Sequence, residues 1–135
     1  MREIQFDSGL ESYRINGGEV LRFNPCDPNV YSRFMESVEK LKALEGELMA
    51  QAVEVQGEDL VMLLAEADRK MKELLNWVFG GENDFHSLLK GVNLLAVAEN
   101  GERVVTNFFE ALEPVLIQGA KRCARHEAAK NRMGE

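Results

Sequence analysis

The stretch from Lys72 to Lys121 decides the fold of this chain and reads KELLNWVFGGENDFHSLLKGVNLLAVAENGERVVTNFFEALEPVLIQGAK. An apolar helical pattern in it ends at Phe79, where Gly80 and Gly81 allow the backbone conformations that stop a helix. A second apolar pattern with helical spacing follows further along the stretch. No side chain in it is placed like a catalyst, so the stretch predicts two packed helices separated by a break.

Two apolar stripes upstream of the break predict long helices. Asp27 is suited to cap the first helix, because its carboxylate can accept a hydrogen bond from a free backbone N–H. Pro28 fits the first helical position, where no N–H is needed. We expect this helix to end within residues 53–56. The second helix, with Asp59 as its predicted cap, continues to Phe79.

The region after the break predicts short helices followed by a long one. Asp84 is expected to cap a short helix that runs through Leu89. Val92–Glu99 is apolar and is predicted to form a second short helix. The last helix is expected from about Glu102 to Arg132, and its apolar stripe fades beyond Gly119.

The N-terminal segment predicts antiparallel strands. Ile4 and Phe6 alternate with polar neighbours, and the alternation resumes at Tyr13. The sequence Asn16-Gly17-Gly18 favours a tight turn, because such a turn needs residues that tolerate positive φ. Residues 3–23 therefore predict a two- or three-stranded meander. A lone hairpin is marginally stable, so it must pack on the helices or pair with another subunit.

These patterns predict a mainly α fold with a small N-terminal antiparallel β-element, an α+β class in which the helices pack as an irregular bundle. A chain of 135 residues is expected to form a single domain, residues 1–135. Within it we expect a β-hairpin or meander in residues 1–24, a helical body in residues 27–119 and a basic C-terminal helix or tail in residues 120–135.

The charge is unevenly distributed along the chain. The formal net charge is −7 at pH 7. Residues 1–119 hold 21 acidic against 11 basic side chains, whereas residues 120–135 hold two acidic against five basic ones. An acidic body argues against nucleic acid as a partner, because phosphate contacts need clustered cations.

No segment has the pattern of a membrane span or a secretion signal. The longest apolar runs are far shorter than the roughly 20 residues that cross a bilayer. The residues after Met1 lack the apolar centre of a signal peptide. Cys26 and Cys123, the two cysteines, are expected to be free thiols, because disulfides are rare in a reducing cytoplasm. These features predict a cytoplasmic protein without membrane contact.

The residue types that build catalytic and cofactor sites form no known pattern. His86 and His126 are the histidines of the chain, and neither has partners at the spacing of a zinc site. The paired glycines open no phosphate-binding loop, and the acids lie on predicted polar helix faces. Cys26 has no base beside it in the sequence. We therefore predict no enzyme activity, cofactor, metal or small-molecule substrate.

Apolar side chains around the break are the candidate partner-binding residues. Phe108 and Phe109 are adjacent, so they point about 100° apart on a helix. Both enter one core only if their helix is deeply buried. Otherwise one of them, or Trp77, lines a groove for a partner helix. The candidate set comprises Trp77, Phe79, Leu94, Phe108, Phe109 and Leu112.

A second candidate surface is electrostatic and comprises Lys121, Arg122 and Arg125. Cations near a helix C-terminus interact favourably with the helix dipole, which explains them without a partner. The other interpretation is a contact with an acidic surface of a partner. Both interpretations stay open at the level of the sequence.

Several short motifs, in order, carry a resemblance to a known family. They are a helix ending in Phe79-Gly80, the segment Val92-Asn93-Leu94-Leu95-Ala96 and the aromatic helix from Phe108 to Val115 with Pro114 near its end. The early strands, Phe23-Asn24-Pro25 and the Asp27-Pro28 helix start add to it. Across most of its length the chain resembles the tail assembly chaperones of long-tailed, siphovirus-like phages and prophages. It departs from their pattern at Gly81–Asn83 and carries extra residues at Asn100–Arg103.

The resemblance implies a non-enzymatic role in the cytoplasm of a bacterial host cell. Such chaperones coat the apolar helices of the tape measure protein and recruit tail tube subunits, and the resemblance also suggests a homo-oligomer. An alternative that the residues leave open is a small homo-oligomeric helical adaptor or regulatory protein of a mobile element. The basic C-terminal residues would then carry its partner contact.

Overall fold

The computed structural model describes residues 1–134, with side-chain surroundings given through Asn131. In that range the order of elements is β1 (Glu11–Arg14), β2 (Val20–Phe23), α1 (Pro28–Ala52), α2 (Glu58–Phe79), α3 (Phe85–Leu88) and α4 (Val104–Gly134). The predicted class, mainly α with a small N-terminal antiparallel β-element, is confirmed. No helix among these residues is both long and apolar enough to cross a membrane.

The helices α1 and α2 pack against each other and supply much of the core. The carboxylate of Asp27 accepts a hydrogen bond from the N–H of Asn29 at 2.9 Å, which confirms the predicted cap. The cap predicted for α2 is wrong. Gly57, at φ 63°, occupies the N-cap position without a side-chain bond, and Asp59 lies inside the first turn. A backbone with positive φ at this turn favours glycine over aspartate.

The hairpin of β1 and β2 pairs Glu11 with Phe23 and Arg14 with Val20. Its turn has positive φ at Asn16 (48°) and Gly17 (73°), the conformation that the sequence predicted for this position. Leu21 and Phe23 of β2 are buried in the core, so the hairpin is held by the helices.

The strand predicted around Ile4 and Phe6 is wrong for the single chain. Residues 1–10 are all exposed and belong to no strand. The carbonyl of Ser8 accepts a hydrogen bond from Asn24 Nδ2 at 3.1 Å, which fixes the end of the segment nearest to β1. A strand needs a partner for its backbone groups, and the described part of the chain supplies none to Ile4 or Phe6.

The break after α2 is organised by Asn83. Gly80 ends α2 at φ 62°, so the chain turns sharply there. Asn83 Nδ2 then donates to the carbonyls of Arg22 (2.7 Å) and Gly80 (3.0 Å), and Asn83 Oδ1 accepts from the N–H of Arg22 at 3.0 Å. The break is therefore tied to β2 through Asn83.

The short helix predicted over Val92–Glu99 is wrong. The N–H of Leu94 donates to Asp68 Oδ1 at 2.7 Å, and the N–H of Leu95 donates to Asn93 Oδ1 at 2.8 Å. The carbonyls of Leu94 and Ala96 accept the N–H groups of Val105 and Val104, each at 2.9 Å. The backbone groups of this segment therefore bond to α2 and to the free N–H groups at the start of α4, and the segment forms no helix of its own.

Candidate partner-binding surfaces

The structure divides the six predicted partner-binding residues between core and surface. Phe79, Leu94 and Leu112 are buried, whereas Phe108 and Phe109 are half-buried. Trp77 is 42% exposed, and Lys40 Nζ lies 4.8 Å from the centre of its ring. The six do not form one surface. Phe79 and Leu94 offer a partner no area in this conformation, because their side chains pack inside the core.

The aromatic residues among these candidates belong to a series of aromatic rings that pack against one another. Successive ring centres lie 4.9–6.0 Å apart along the series Tyr13, Phe23, Phe79, Phe85, Phe108, Phe109 and Phe34. The series joins the hairpin to all four helices, at distances where edge-to-face contacts are favourable. Phe108 and Phe109 diverge from α4, so one ring meets Phe85 of α3 and the other meets Phe34 of α1.

An apolar groove lies between the core-facing side of the hairpin and α4. It encloses about 430 Å³ and is lined mainly by hydrophobic surface. We call it the β1 groove and define it by Tyr13, Ile15, Phe108, Ala111, Leu112 and Val115. Phe108 and Leu112 belong to the predicted set, so the structure does place two of the six at one groove. The groove continues past Tyr13 and Val115 to Arg122 and Arg125.

The predicted basic contact is partly used inside the chain. Arg122 Nη1 lies 3.2 Å from Glu11 Oε1, which ties α4 to the start of β1. The hydroxyl of Tyr13 also donates to the Glu11 carboxylate. The pKa of Glu11 is held below its ordinary value mainly by this hydrogen bond and, as the second cause, by the Arg122 guanidinium. Lys121 and Arg125 are exposed on the same stretch of α4.

The contact with Glu11 has the opposite effect on the pKa of Tyr13. Desolvation, followed by the hydrogen bond to Glu11, raises the pKa of Tyr13 to about 12. The phenol therefore stays protonated at physiological pH and remains a donor to the carboxylate.

An exposed apolar cluster at the turn between α1 and α2 was not predicted. We call it the helical tip, and it comprises Met49, Val53, Val61 and Met62, each at least 65% exposed. Helical periodicity predicts the apolar stripes of α1 and α2 for the core, but it makes no prediction for these four neighbouring side chains. Their position beside Leu48 and Leu60, off the buried face, is the pattern that would have identified them.

The thiols of Cys26 and Cys123 meet where α4 passes the start of α1. Both are free, as predicted, but their proximity was not foreseen, because 96 residues of sequence separate them. A hydrogen bond between the two thiols, together with desolvation, raises the pKa of Cys123 above its ordinary value. The two side chains share an open pocket with Tyr31 and Ala120.

Among the described residues, no group of three or more His, Cys, Asp or Glu side chains is placed to hold a metal ion. Comparison of the chain with protein-family models, with curated proteins and with solved structures found no match.

Proposed function

We propose that this protein is a non-enzymatic tail assembly chaperone of a phage or prophage, acting in the cytoplasm of a bacterial host. It binds apolar helices of the tape measure protein and helps to recruit tail tube subunits. The resemblance around Phe79–Pro114 supplies the family and the partner. The observation that carries the proposal is the helical tip, where four apolar side chains are exposed at the end of a helical hairpin.

The chemistry of the helical tip suits a partner with varied apolar helices. Methionine is unbranched and polarizable, so Met49 and Met62 can adapt to different side chains of a partner helix. Binding at the tip would cover apolar surface on both partners and delay aggregation of a long apolar helix. The contacts are reversible, so assembly of the tail can replace them.

The distribution of charge supports a protein partner over nucleic acid. Residues 1–119 carry the acidic excess, and the cations of α4 are few and partly paired with Glu11. A nucleic-acid surface needs a dense basic stripe, which the described residues lack.

Co-expression with a fragment of the tape measure protein tests the proposal. We expect the fragment to become soluble and to co-purify with the chaperone. Met49→Lys and Met62→Lys together should reduce co-purification at least tenfold, since two apolar contacts are replaced by charges. Glu47→Lys on the exposed surface of α1 is the matched control and should leave binding intact. An insoluble fragment, or equal binding by all variants, would contradict the proposal.

The second candidate is a homo-oligomeric adaptor or regulatory protein of a mobile element. The exposed Lys121 and Arg125 on α4 favour it. In that case Lys121→Glu with Arg125→Glu abolishes partner binding, whereas the Met49 and Met62 substitutions leave it unchanged. The chaperone role predicts the reverse pattern in the same pull-down.

A further inference from the structure

We propose that the N-terminal arm of a second copy of this chain adds as a strand along the outer edge of β1 and covers the β1 groove. The arm comprises residues 1–10. The inference concerns self-association, and it stands or falls independently of the tail assembly role.

The arm has the pattern of a strand without a partner. Ile4 is 88% exposed and Phe6 is 79% exposed. Both side chains occur at even positions, and Glu3, Gln5 and Asp7 occupy the odd positions around them, so Ile4 and Phe6 share one face of an extended arm and the three polar residues share the other. An exposed segment with such an apolar face is unfavourable for an isolated chain.

The outer edge of β1 is open, whereas the outer edge of β2 is covered. The backbone N–H and carbonyl of Arg22 bond outward to the side chain of Asn83. Arg22 faces Ser12 in the antiparallel pair, so the backbone groups of Ser12 must also point away from the hairpin. By the same alternation those of Arg14 point outward too, and no other described element pairs with β1. These outward groups form an edge that a further strand can bond.

The groove beside this edge matches the apolar face of the arm. Tyr13 and Ile15 of β1 face the core side and line the β1 groove together with Phe108, Ala111 and Val115 of α4. None of the residues lining the groove belongs to the arm of the same chain. A strand added to β1 in register places alternate side chains over the groove, where Ile4 and Phe6 would be covered.

The polar faces have complementary charge. Arg14 and Arg22 lie on the exposed face of the hairpin, and neither forms a salt bridge among the described residues. The polar face of the arm carries Glu3 and Asp7. When the apolar face of the arm covers the groove, its two acids share a face with the two arginines of the hairpin, and cross-strand pairs of opposite charge are favourable.

The arm of the same chain is held away from this edge. Ser8 O accepts from Asn24 Nδ2, and the N–H of Gly9 donates to Asp7 Oδ1 at 2.8 Å. Gly9 has φ 76°, and an added Cβ there would lie 2.5 Å from Asn24 Nδ2. The base of the arm is therefore fixed against Asn24, the residue that follows β2, so the arm does not turn back along β1. A second copy has both an arm and an open β1 edge. If two copies exchange their arms, the apolar face of each arm and the edge of each β1 are covered.

The donor side is tested by light scattering and sedimentation of the full chain over a range of concentrations. The wild-type protein should self-associate, and Ile4→Asp or Phe6→Asp should weaken association roughly 10- to 100-fold, because a charge replaces a buried apolar side chain. Gln5→Asp is the matched control on the polar face and should associate like the wild type. All three residues are exposed and outside the core, so thermal melting of the monomer should not change.

The acceptor side is tested by filling the groove. Ala111→Arg, at an exposed position of the groove, should also weaken self-association, whereas Glu110→Arg on the same helix should not. A mixture of Phe6→Asp and Ala111→Arg proteins pairs an intact arm with an intact groove. It should form hetero-oligomers at concentrations where neither variant associates alone.

Three results would each overturn the inference. A wild-type protein that is monomeric at all concentrations means that the arm does not bind a second copy. Equal effects of Gln5→Asp and Phe6→Asp, or no effect of either, mean that the apolar face of the arm is not buried. Failure of the mixture to associate means that arm and groove are not each other's partners.

Discussion

The carboxylate of Asp68 accepts a hydrogen bond from the backbone N–H of Leu94 at 2.7 Å and therefore joins α2 to the segment before α4. The other oxygen of the same carboxylate lies 2.8 Å from Nζ of Lys72, whose side chain is 2% exposed. One turn further along α2, Asn76 Oδ1 accepts from the N–H of Phe85 at 2.7 Å. Asp68, Lys72 and Asn76 form a polar row on α2 that holds the connection between the break and α4.

Removing Asp68 should destabilise the fold strongly. Asp68→Ala leaves the buried ammonium of Lys72 unpaired and the Leu94 N–H without its acceptor, so we expect a loss of about 3–5 kcal/mol in the free energy of unfolding. The double variant Asp68→Ala, Lys72→Met should recover part of that loss, because the unpaired charge is gone. Denaturant unfolding measures both. Equal losses in the single and double variants would mean that Lys72 reaches water without Asp68.

Two glycines on different helices should respond in opposite directions to alanine. At Gly119 a Cβ would lie 1.9 Å from the carbonyl oxygen of Pro25, so Gly119→Ala forces α4 away from the start of α1. We expect a loss of about 2 kcal/mol or more, which exceeds the gain of about 1 kcal/mol in helix propensity. At Gly46, within α1, an added Cβ meets nothing within 4 Å. Gly46→Ala should therefore stabilise by about 0.5–1 kcal/mol.

Thermal or denaturant unfolding of the two glycine variants, measured side by side, checks the pair of expectations. Stabilisation by Gly119→Ala would show that α4 does not pack against Pro25 as closely as described.

The division of the candidate residues into core and surface predicts an order of stability losses. Leu94→Ala should cost about 2–5 kcal/mol, because Leu94 is fully buried. Trp77→Ala removes a larger side chain but should cost less, roughly 1–2 kcal/mol, because much of the ring is already exposed. Denaturant unfolding gives the order. A larger loss for Trp77 would place that ring in the core and Leu94 outside it.

The thiol pair predicts a pH dependence. The hydrogen bond that the Cys123 thiol makes to Cys26 raises the pKa of Cys123 above its ordinary value, so the neutral thiol is favoured in the folded state. The corresponding contribution to stability is present below the ordinary thiol pKa and is lost as the pH rises through the raised value. Cys26→Ala removes this contact, so Cys123 should ionise more readily and react faster with iodoacetamide near pH 8.

Mass spectrometry of the alkylated protein measures that rate, and the wild type serves as the reference. An unchanged or slower reaction in Cys26→Ala would mean that the two thiols are not in contact.

Local chemistry made several elements predictable. Asp27 and Asp84 cap α1 and α3 through bonds to N–H groups two residues ahead, and Asn16-Gly17 takes up a turn that needs positive φ. Each of these depends on residues that are close in sequence. The buried stripe of α2 follows from helical periodicity in the same way.

The sequence-based predictions fail where backbone groups depend on residues far away in the chain. Val92–Glu99 has the composition of a short helix, but Asp68 and the start of α4 take the N–H and carbonyl groups that such a helix would use. Ile4 and Phe6 have the alternation of a strand, but no strand among the described residues of the same chain pairs with them. Phe79 packs against Phe23 and Phe85, and Leu94 is held between α2 and the start of α4 by its backbone bonds to Asp68 and Val105. Both residues are therefore in the core, and no local pattern separates a core residue from a partner contact.

The sequence by itself therefore determined α1 to α4, the hairpin turn and the caps of α1 and α3, because these depend on side chains within one or two turns of the backbone. Tertiary structure alone decided the burial of the Asp68–Lys72 pair under the segment at Leu94, the meeting of Cys26 with Cys123 and the β1 groove, since each depends on residues far apart in the chain. The break at Gly80 depends on both the local sequence and the tertiary structure. Its glycines make a turn possible, but the bonds of Asn83 to β2 set its direction.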